Sequence, residues 1–243
     1  AGLLADKCRQ LNRGFFSLFE RQRPFVVLKI AQSLDGKTAL KNGVSQWITS
    51  EASRREVHQG RAASCAVLTG VGTVLADNPQ LNVRYVDTPR QPIRVVADSH
   101  LQTPHTATIC TDGGRTILAH LSHIQAKTLY PDSVELLPLP ADNSGQHIDL
   151  SALMSQLAQR QIGQIWVEAG ATLNGALLAA DWVDEMVIYQ APMILGDTAQ
   201  PAFRLPEITA LNQAYGFVIH HIQTVGDDIK MILRKKASDF QAA

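Results

Sequence analysis

A chain of 243 residues, 45% hydrophobic and 18% charged, has ample material for a packed core and is not a disordered polymer. Its 22 Lys+Arg balance 22 Asp+Glu, so no bulk field selects nucleic acid or an anionic membrane, and any anion must be held by a few local groups. No apolar run approaches a membrane span, no signal-peptide order is present, and three well-separated cysteines fit a reducing, cytoplasmic setting rather than a disulfide framework or a zinc site.

Residues 1–23 carry Leu, Phe and charges at helical spacing up to Pro24 and predict a helical connector ahead of a domain spanning 24–243. Residues 25–31 (FVVLKIA) are nearly continuous in apolar side chains, the pattern of a strand buried on both faces. Thr49-Ser50-Glu51 offers a hydroxyl cap and a first-turn acid for a helix running to Arg61. CAVLTG (65–70) and PIRVVADS (92–99) read as strands, and TATICT (106–111) and RTILAH (115–120) as shorter ones. Residues 120–149, broken by Pro131, Pro138 and Pro140, show no regular period.

Residues 150–161 then predict a helix, 162–170 (IGQIWVEAG) a buried strand, and 171–182 the helix that this strand feeds. The runs 217–224 and 229–233 alternate with period two around Val225-Gly226-Asp227-Asp228, a hairpin signal, and His220-His221 fall there as a strand pair rather than a metal site. Strands alternating with helices and a terminal hairpin imply one α/β domain around a mixed sheet.

Three stretches can carry chemistry. At 165–176 a strand ending Trp166-Val167-Glu168-Ala169-Gly170 meets a helix beginning near Ala171-Thr172, where free amides and the helix dipole suit a phosphate. Neither Walker A nor the Rossmann fingerprint fits, and a plain strand-to-helix turn explains the same residues. In GVGTVLADNPQLNVRY (70–85) the glycines follow a strand and Asp77-Asn78-Pro79 makes a turn, but Arg84 needs a reason. Arg54, His58 and Arg61 share one face of their helix, either as an anion site or as a solvated face. In LKIAQSLDGKTA (28–39), Lys29 interrupts an apolar strand, which is costly unless it is paired or faces a cleft. Trp47, beside Ser45, offers a flat surface for a planar ring or simply fills space.

Together LKIAQSLDGKTA (28–39), SQWITS (45–50), GRAASCAVLTGVGTVLADNPQLNVR (60–84), PIRVVADS (92–99) and VEAGATLNGALL (167–178) stand in the order found in one group of reductases. From about Arg23 to Arg234 the chain resembles the reductase domain of the bifunctional riboflavin-biosynthesis deaminase/reductase family. The resemblance implies a dihydrofolate-reductase-like α/β fold: a mixed, mostly parallel central sheet flanked by helices, with a C-terminal antiparallel hairpin. It implies NADPH-dependent reduction of 5-amino-6-(5-phosphoribosylamino)uracil by hydride transfer to sugar C1′, and a homodimer. It implies that Gly170, Ala171, Thr172, Leu173, Asn174, Gly175 and Ala176 hold the cofactor pyrophosphate, and that Ala31, Trp47, Thr73, Asp77 and Ser99 line the rest of the cofactor. Ser45, Arg61, Leu81, Arg84 and Glu168 match positions facing the substrate, and Lys29 a lysine near its ribose.

On that reading Lys29 and Glu168 orient sugar hydroxyls and assist proton movement, while Arg61 and Arg84 clamp the 5-phosphate. A buried bidentate Arg84 would make Arg84→Ala cost roughly 2–5 kcal/mol of substrate binding, and a surface charge below about 1 kcal/mol. Val44, Gly60, Cys65, Asn78, Asn82 and Ala169 depart from the residues commonest in the family. Neither H-x-E nor P-C-x-x-C occurs, so no deaminase chemistry is expected of this chain, and 1–23 reads as the end of a missing deaminase domain. The alternatives are a related reductase acting on the aminated pyrimidine or a pterin, and a nucleotide-binding module without catalysis. Only Ser99 suggests itself for a 2′-phosphate, so NADPH rests on the resemblance.

Overall fold

The computed structural model describes residues 2 and 4–235. In chain order the elements are α1 (Ala5–Leu11), α2 (Arg13–Arg21), β1 (Phe25–Gln32), β2 (Lys37–Ala39), α3 (Glu51–Ala62), β3 (Ala66–Gly70) and α4 (Val71–Asp77). There follow β4 (Ile93–Ala97), α5 (Thr108–Thr111), β5 (Thr116–Leu121), β6 (Val134–Leu139), α6 (Leu150–Gln159) and β7 (Gln164–Val167). The last are α7 (Ala171–Ala179), β8 (Glu185–Gln190), β9 (Gln200–Pro201), β10 (Phe217–Val225) and β11 (Asp228–Lys235). No helix among the described residues is long and apolar enough to cross a membrane. Contacts divide the chain into two compact units, one of residues Ala1–Val26 and Gly60–Trp166, the other of Val27–Gln59 and Val167–Ala243.

The first unit is built on a sheet in the order β7-β3-β4-β5-β6, in which β3/β4, β4/β5 and β5/β6 pair in parallel. Its strands read as continuous apolar runs because both faces are covered: Val67, Leu68, Val95, Val96 and Leu118 are all fully buried. Asp149 caps α6 by accepting from the Ser151 and Ala152 amides, and Leu153, Met154 and Leu157 bury the face that the sequence period marks.

The second unit pairs β1 with β8 in parallel, with Lys29 opposite Val187. Strand β11 runs antiparallel to β8, and the expected hairpin is β10/β11, with a register shift between Ile219 and His221. A separate two-stranded ribbon joins β2 to β9. The expected hydroxyl cap of α3 is present: the Ser53 amide donates to Ser50 Oγ at 3.3 Å. The Ser50 amide in turn donates to Asp228 Oδ2 in the hairpin turn at 2.7 Å.

Four local expectations are corrected. The connector is two helices, broken at Asn12, rather than one. TATICT is not a strand: residues 108–111 form a helical turn, because Ile109 and Cys110 both enter a cluster with Val74, Val96 and Leu118, and packing overrides β-branched propensity. The stretch after β3, read only as glycines following a strand and a turn at Asp77-Asn78-Pro79, is helical from Val71, closing on Asn78 in the left-handed region that asparagine tolerates. Within the irregular 120–149 segment lies β6, paired along its length with β5. Strand β8 (EMVIYQ) is an addition, buried throughout apart from its last residue.

Candidate functional site

In the first unit the expected residues gather on α4 and the segment after it. Thr73 stands half-buried in the first turn of α4; Asp77, at its end, is exposed as a residue, though partial desolvation of its carboxyl shifts it upward from its ordinary value. The chain then runs without regular structure through 78–84, and side chains from elsewhere in the unit fix it. The Thr108 amide donates to Asn78 Oδ1 at 2.8 Å, so one contact ties down the turn and satisfies the start of α5.

Arg94 is 2% exposed and organises the neighbourhood. It makes a bidentate pair with Asp112, both bonds at 2.8 Å. It also donates to the carbonyls of Ile109 (3.0 Å), Gly114 (2.6 Å) and Gln80 (3.4 Å). Arg61, 9% exposed, donates to the Asn82 carbonyl at 2.9 Å. Between these two arginines Leu81 is buried at 4% exposure with φ of 51°, a conformation a non-glycine residue keeps only when its surroundings impose it. Arg84 is exposed, and its Nη1 donates to Gln80 Oε1 at 2.5 Å and to Asn82 Oδ1 at 3.0 Å. Ser99 lies past β4, half-buried, its Oγ accepting from the Ile148 amide at 3.0 Å.

In the second unit Lys29 and Ala31 alternate onto one face of β1, both half-buried. Ser45 is half-buried, and Trp47 is 65% exposed with the Arg54 guanidinium 4.4 Å over its ring, a cation–π contact. Trp47 is therefore a surface platform, not core filler. Arg54 Nη1 also donates to the Thr49 carbonyl at 2.6 Å. His58, at 4% exposure, and Arg61 are buried, which excludes the solvated-face account for those two members of the trio.

Glu168 follows β7, half-buried. Burial first, then the charges of Glu56 and Glu168, push the phenol of fully buried Tyr189 well above its ordinary range. Glu56 also forms an ion pair with Lys230. Tyr189 escapes sequence reasoning because β8 carries no motif. Arg94 is legible on the same ground as Lys29, a cation inside an apolar strand.

Gly170 caps α7 with no side-chain hydrogen bond, and a Cβ built there meets nothing within 4 Å, so the mouth of the helix is open. No acid stands in the first turn. Thr172 and Ala176 are exposed, while Ala171 and Leu173 are half-buried. Asn174 and Gly175 face inward instead. Asn174 Nδ2 donates to the Ala202 carbonyl at 3.1 Å, and its buried Oδ1 has no hydrogen-bond partner. A Cβ at Gly175 would stand 1.9 Å from the Arg204 carbonyl oxygen, so this glycine admits neighbouring backbone. Among the described residues no group of three or more His, Cys, Asp or Glu is arranged to hold a metal ion.

The sequence model of the RibD C-terminal domain family matches residues 24–231. Riboflavin biosynthesis protein RibD of Escherichia coli K12 is 41% identical over 240 residues, which are 94% of this chain and 64% of that protein. The chain thus spans a little under two thirds of that relative. The 5-amino-6-(5-phosphoribosylamino)uracil reductase of Buchnera aphidicola subsp. Acyrthosiphon pisum is 33% identical over 209 residues, 81% of this chain and 99% of that protein. Among solved structures, Acinetobacter baumannii RibD (form 1) superposes with a TM-score of 0.83 at 33% identity, covering 97% of this chain and 64% of that one. The riboflavin biosynthesis reductase Rib7 of Saccharomyces cerevisiae, at 22% identity and a TM-score of 0.67, shares the fold. The resemblance carried by the five motifs and the mostly parallel α/β fold are both borne out. This chain belongs to the RibD C-terminal domain family, and its relatives include a reductase, the oxidoreductase class that the motifs imply.

Proposed function

We propose that the chain is an oxidoreductase of riboflavin biosynthesis that reduces 5-amino-6-(5-phosphoribosylamino)uracil to its ribitylamino product with NADPH. One observation supports the reading: the alignment takes in 99% of a relative named for that substrate, so the matched segment corresponds to the whole length of that reductase. The residues fit a dinucleotide. The open, acid-free mouth of α7 suits a pyrophosphate. On this reading residues 170–176 hold the pyrophosphate, and Ala31, Trp47, Thr73, Asp77 and Ser99 contact the remainder.

Bound reduced nicotinamide supplies a hydride, which reduces the imine at C1′ of the ring-opened ribosylamine. The chain's own work is to position and to manage protons. Lys29 and Glu168 orient the sugar hydroxyls and assist proton movement, Ser45 and Leu81 line the substrate, and Arg61 and Arg84 receive the 5-phosphate. Because Arg84 is exposed, with its guanidinium bonded to Gln80 and Asn82, the surface-charge case applies and Arg84→Ala is expected to cost below about 1 kcal/mol of substrate binding. Residues 1–23 serve as a connector, and deaminase chemistry is not assigned to this chain. Work in the cytoplasm as a homodimer completes the reading; the dimer is supported by exposed apolar side chains of β10, where Ile219 and Ile222, 59% and 52% exposed, share one face of the hairpin.

The test follows oxidation of NADPH by its absorbance with and without the pyrimidine, repeated with NADH and with the aminated substrate. Substrate-dependent oxidation favouring NADPH and the deaminated pyrimidine is expected. Tight NADPH binding without turnover would point to a non-catalytic nucleotide-binding module instead.

A further inference from the structure

We propose that Gln91 is a positioning residue for Arg84, holding the arginine where a substrate phosphate meets it; this rests on the phosphate role of Arg84 in the proposed reaction. The Val83 amide donates to Gln91 Oε1 at 2.7 Å, and Gln91 Nε2 donates back to the Val83 carbonyl at 3.1 Å. One primary amide thereby engages both backbone groups of a single residue. A neighbouring strand would supply the same pairing, but this segment lies outside any strand and receives it from a side chain.

The rest of the segment is held by other means. Arg94 and Arg61 take the Gln80 and Asn82 carbonyls, and Leu81 and Val83 are buried at 4% and 6% exposure. Arg84 directly follows Val83, so Gln91 fixes the backbone from which the arginine departs. The side chains of Gln80 and Asn82 then orient its guanidinium. An exposed arginine normally samples many rotamers and must be ordered by its ligand; at Arg84 most of that ordering precedes binding. Gln91 itself is exposed and leads through Pro92 into β4, so its side chain is not part of the core.

The experiment is steady-state kinetics with 5-amino-6-(5-phosphoribosylamino)uracil and with its ribosyl counterpart lacking the phosphate. The variants are Gln91→Ala, Gln91→Glu, Arg84→Ala and the Gln91→Ala/Arg84→Ala pair, each checked for folding by circular dichroism. Gln91→Ala is expected to raise KM for the phosphorylated substrate roughly 2- to 5-fold at nearly unchanged kcat, the loss of about one net hydrogen bond. KM for the unphosphorylated compound stays put, and Gln91→Ala adds nothing when Arg84 is already alanine. Gln91→Glu, which sets a carboxylate oxygen against the Val83 carbonyl, shows the same selectivity and serves if the alanine variant does not fold. Equal effects on both substrates, or additivity with Arg84→Ala, overturn the proposal. A raised KM for Arg84→Ala but not for the Gln91 variants overturns the positioning alone, whereas an unchanged KM for Arg84→Ala overturns the phosphate role and the positioning with it.

Discussion

Gly175 and Arg204 are in backbone contact so close that a Cβ on the glycine would stand 1.9 Å from the arginine's carbonyl oxygen and 2.7 Å from its carbonyl carbon. Backbone cannot swing aside as a long side chain can. Gly175→Ala should therefore lower stability by about 3 kcal/mol or prevent folding, although alanine favours a helix interior by about 1 kcal/mol over glycine. Denaturant titration of the variant reads this directly, and a gain in stability would show that residues 202–204 leave α7 freely.

A second glycine makes a softer test. A Cβ at Gly60 would lie 2.6 Å from the ring of Trp166, which is only 4% exposed. The indole occupies the space that a side chain at position 60 would need. Gly60→Ala is expected to destabilise by roughly 1–2 kcal/mol through overpacking, and pairing it with Trp166→Phe should recover part of the loss. Strict additivity of the two changes in thermal unfolding would count against the contact.

Asp112 is the counter-charge to a buried guanidinium, with side-chain exposures of 22% for the aspartate and 3% for Arg94. Asp112→Ala leaves Arg94 buried with only neutral acceptors, backbone carbonyls and the Thr116 hydroxyl, and should cost about 3 kcal/mol at neutral pH. The Arg94 hydrogen bonds hold the Asp112 carboxyl below its ordinary value of 3.8. The cost should thus be full above that pH and shrink as acid protonates the wild-type carboxylate. Chemical denaturation at neutral pH and at pH near 3 checks both statements.

Asp35 gives the sharper acid signature. The Ser33 hydroxyl, 2.5 Å away, then the Leu195 and Gly196 amides, bring its carboxyl down from 3.8 to about 2. A depressed folded-state value means that the stabilisation is fully present above 3.8 and is lost as pH falls through about 2. The gap in thermal midpoint between wild type and Asp35→Asn should be constant from neutrality down to about pH 5 and close towards pH 2. A gap that ignores pH would remove the carboxylate from its role.

Where periodicity, caps and turn chemistry act locally, the sequence is informative. The apolar run of β1, the hydroxyl cap of α3, the helical period of α6 and the glycine turn of β10/β11 all appear where expected. Misreadings fall where distant packing decides. Ile109 and Cys110 look like strand residues until Val74, Val96 and Leu118 are placed against them as a helical turn. The glycines of α4 hide a helix whose end is set by Asn78. In the candidate site the residue types are legible, but their supports are not: nothing in the spacing of Gln91 and Val83, or of Arg94 and Gln80, announces a contact.

The cap that begins α3 has a consequence for the order of events during folding. Ser50 reaches the hairpin turn through backbone and side chain: its amide donates to Asp228 Oδ2 at 2.7 Å, and its hydroxyl stands 2.8 Å from Asp228 Oδ2 and 3.2 Å from the Val225 carbonyl oxygen, partners 178 and 175 residues later in the chain. During synthesis Ser50 emerges long before these partners, at roughly 5–20 residues per second. Until the hairpin forms, the Ser50 amide and hydroxyl lack these acceptors, and loop-closure entropy counts against so distant a contact forming early. Changes in the β10/β11 turn should then be felt at the start of a helix nearly the whole chain away, as longer exposure of an unfinished unit.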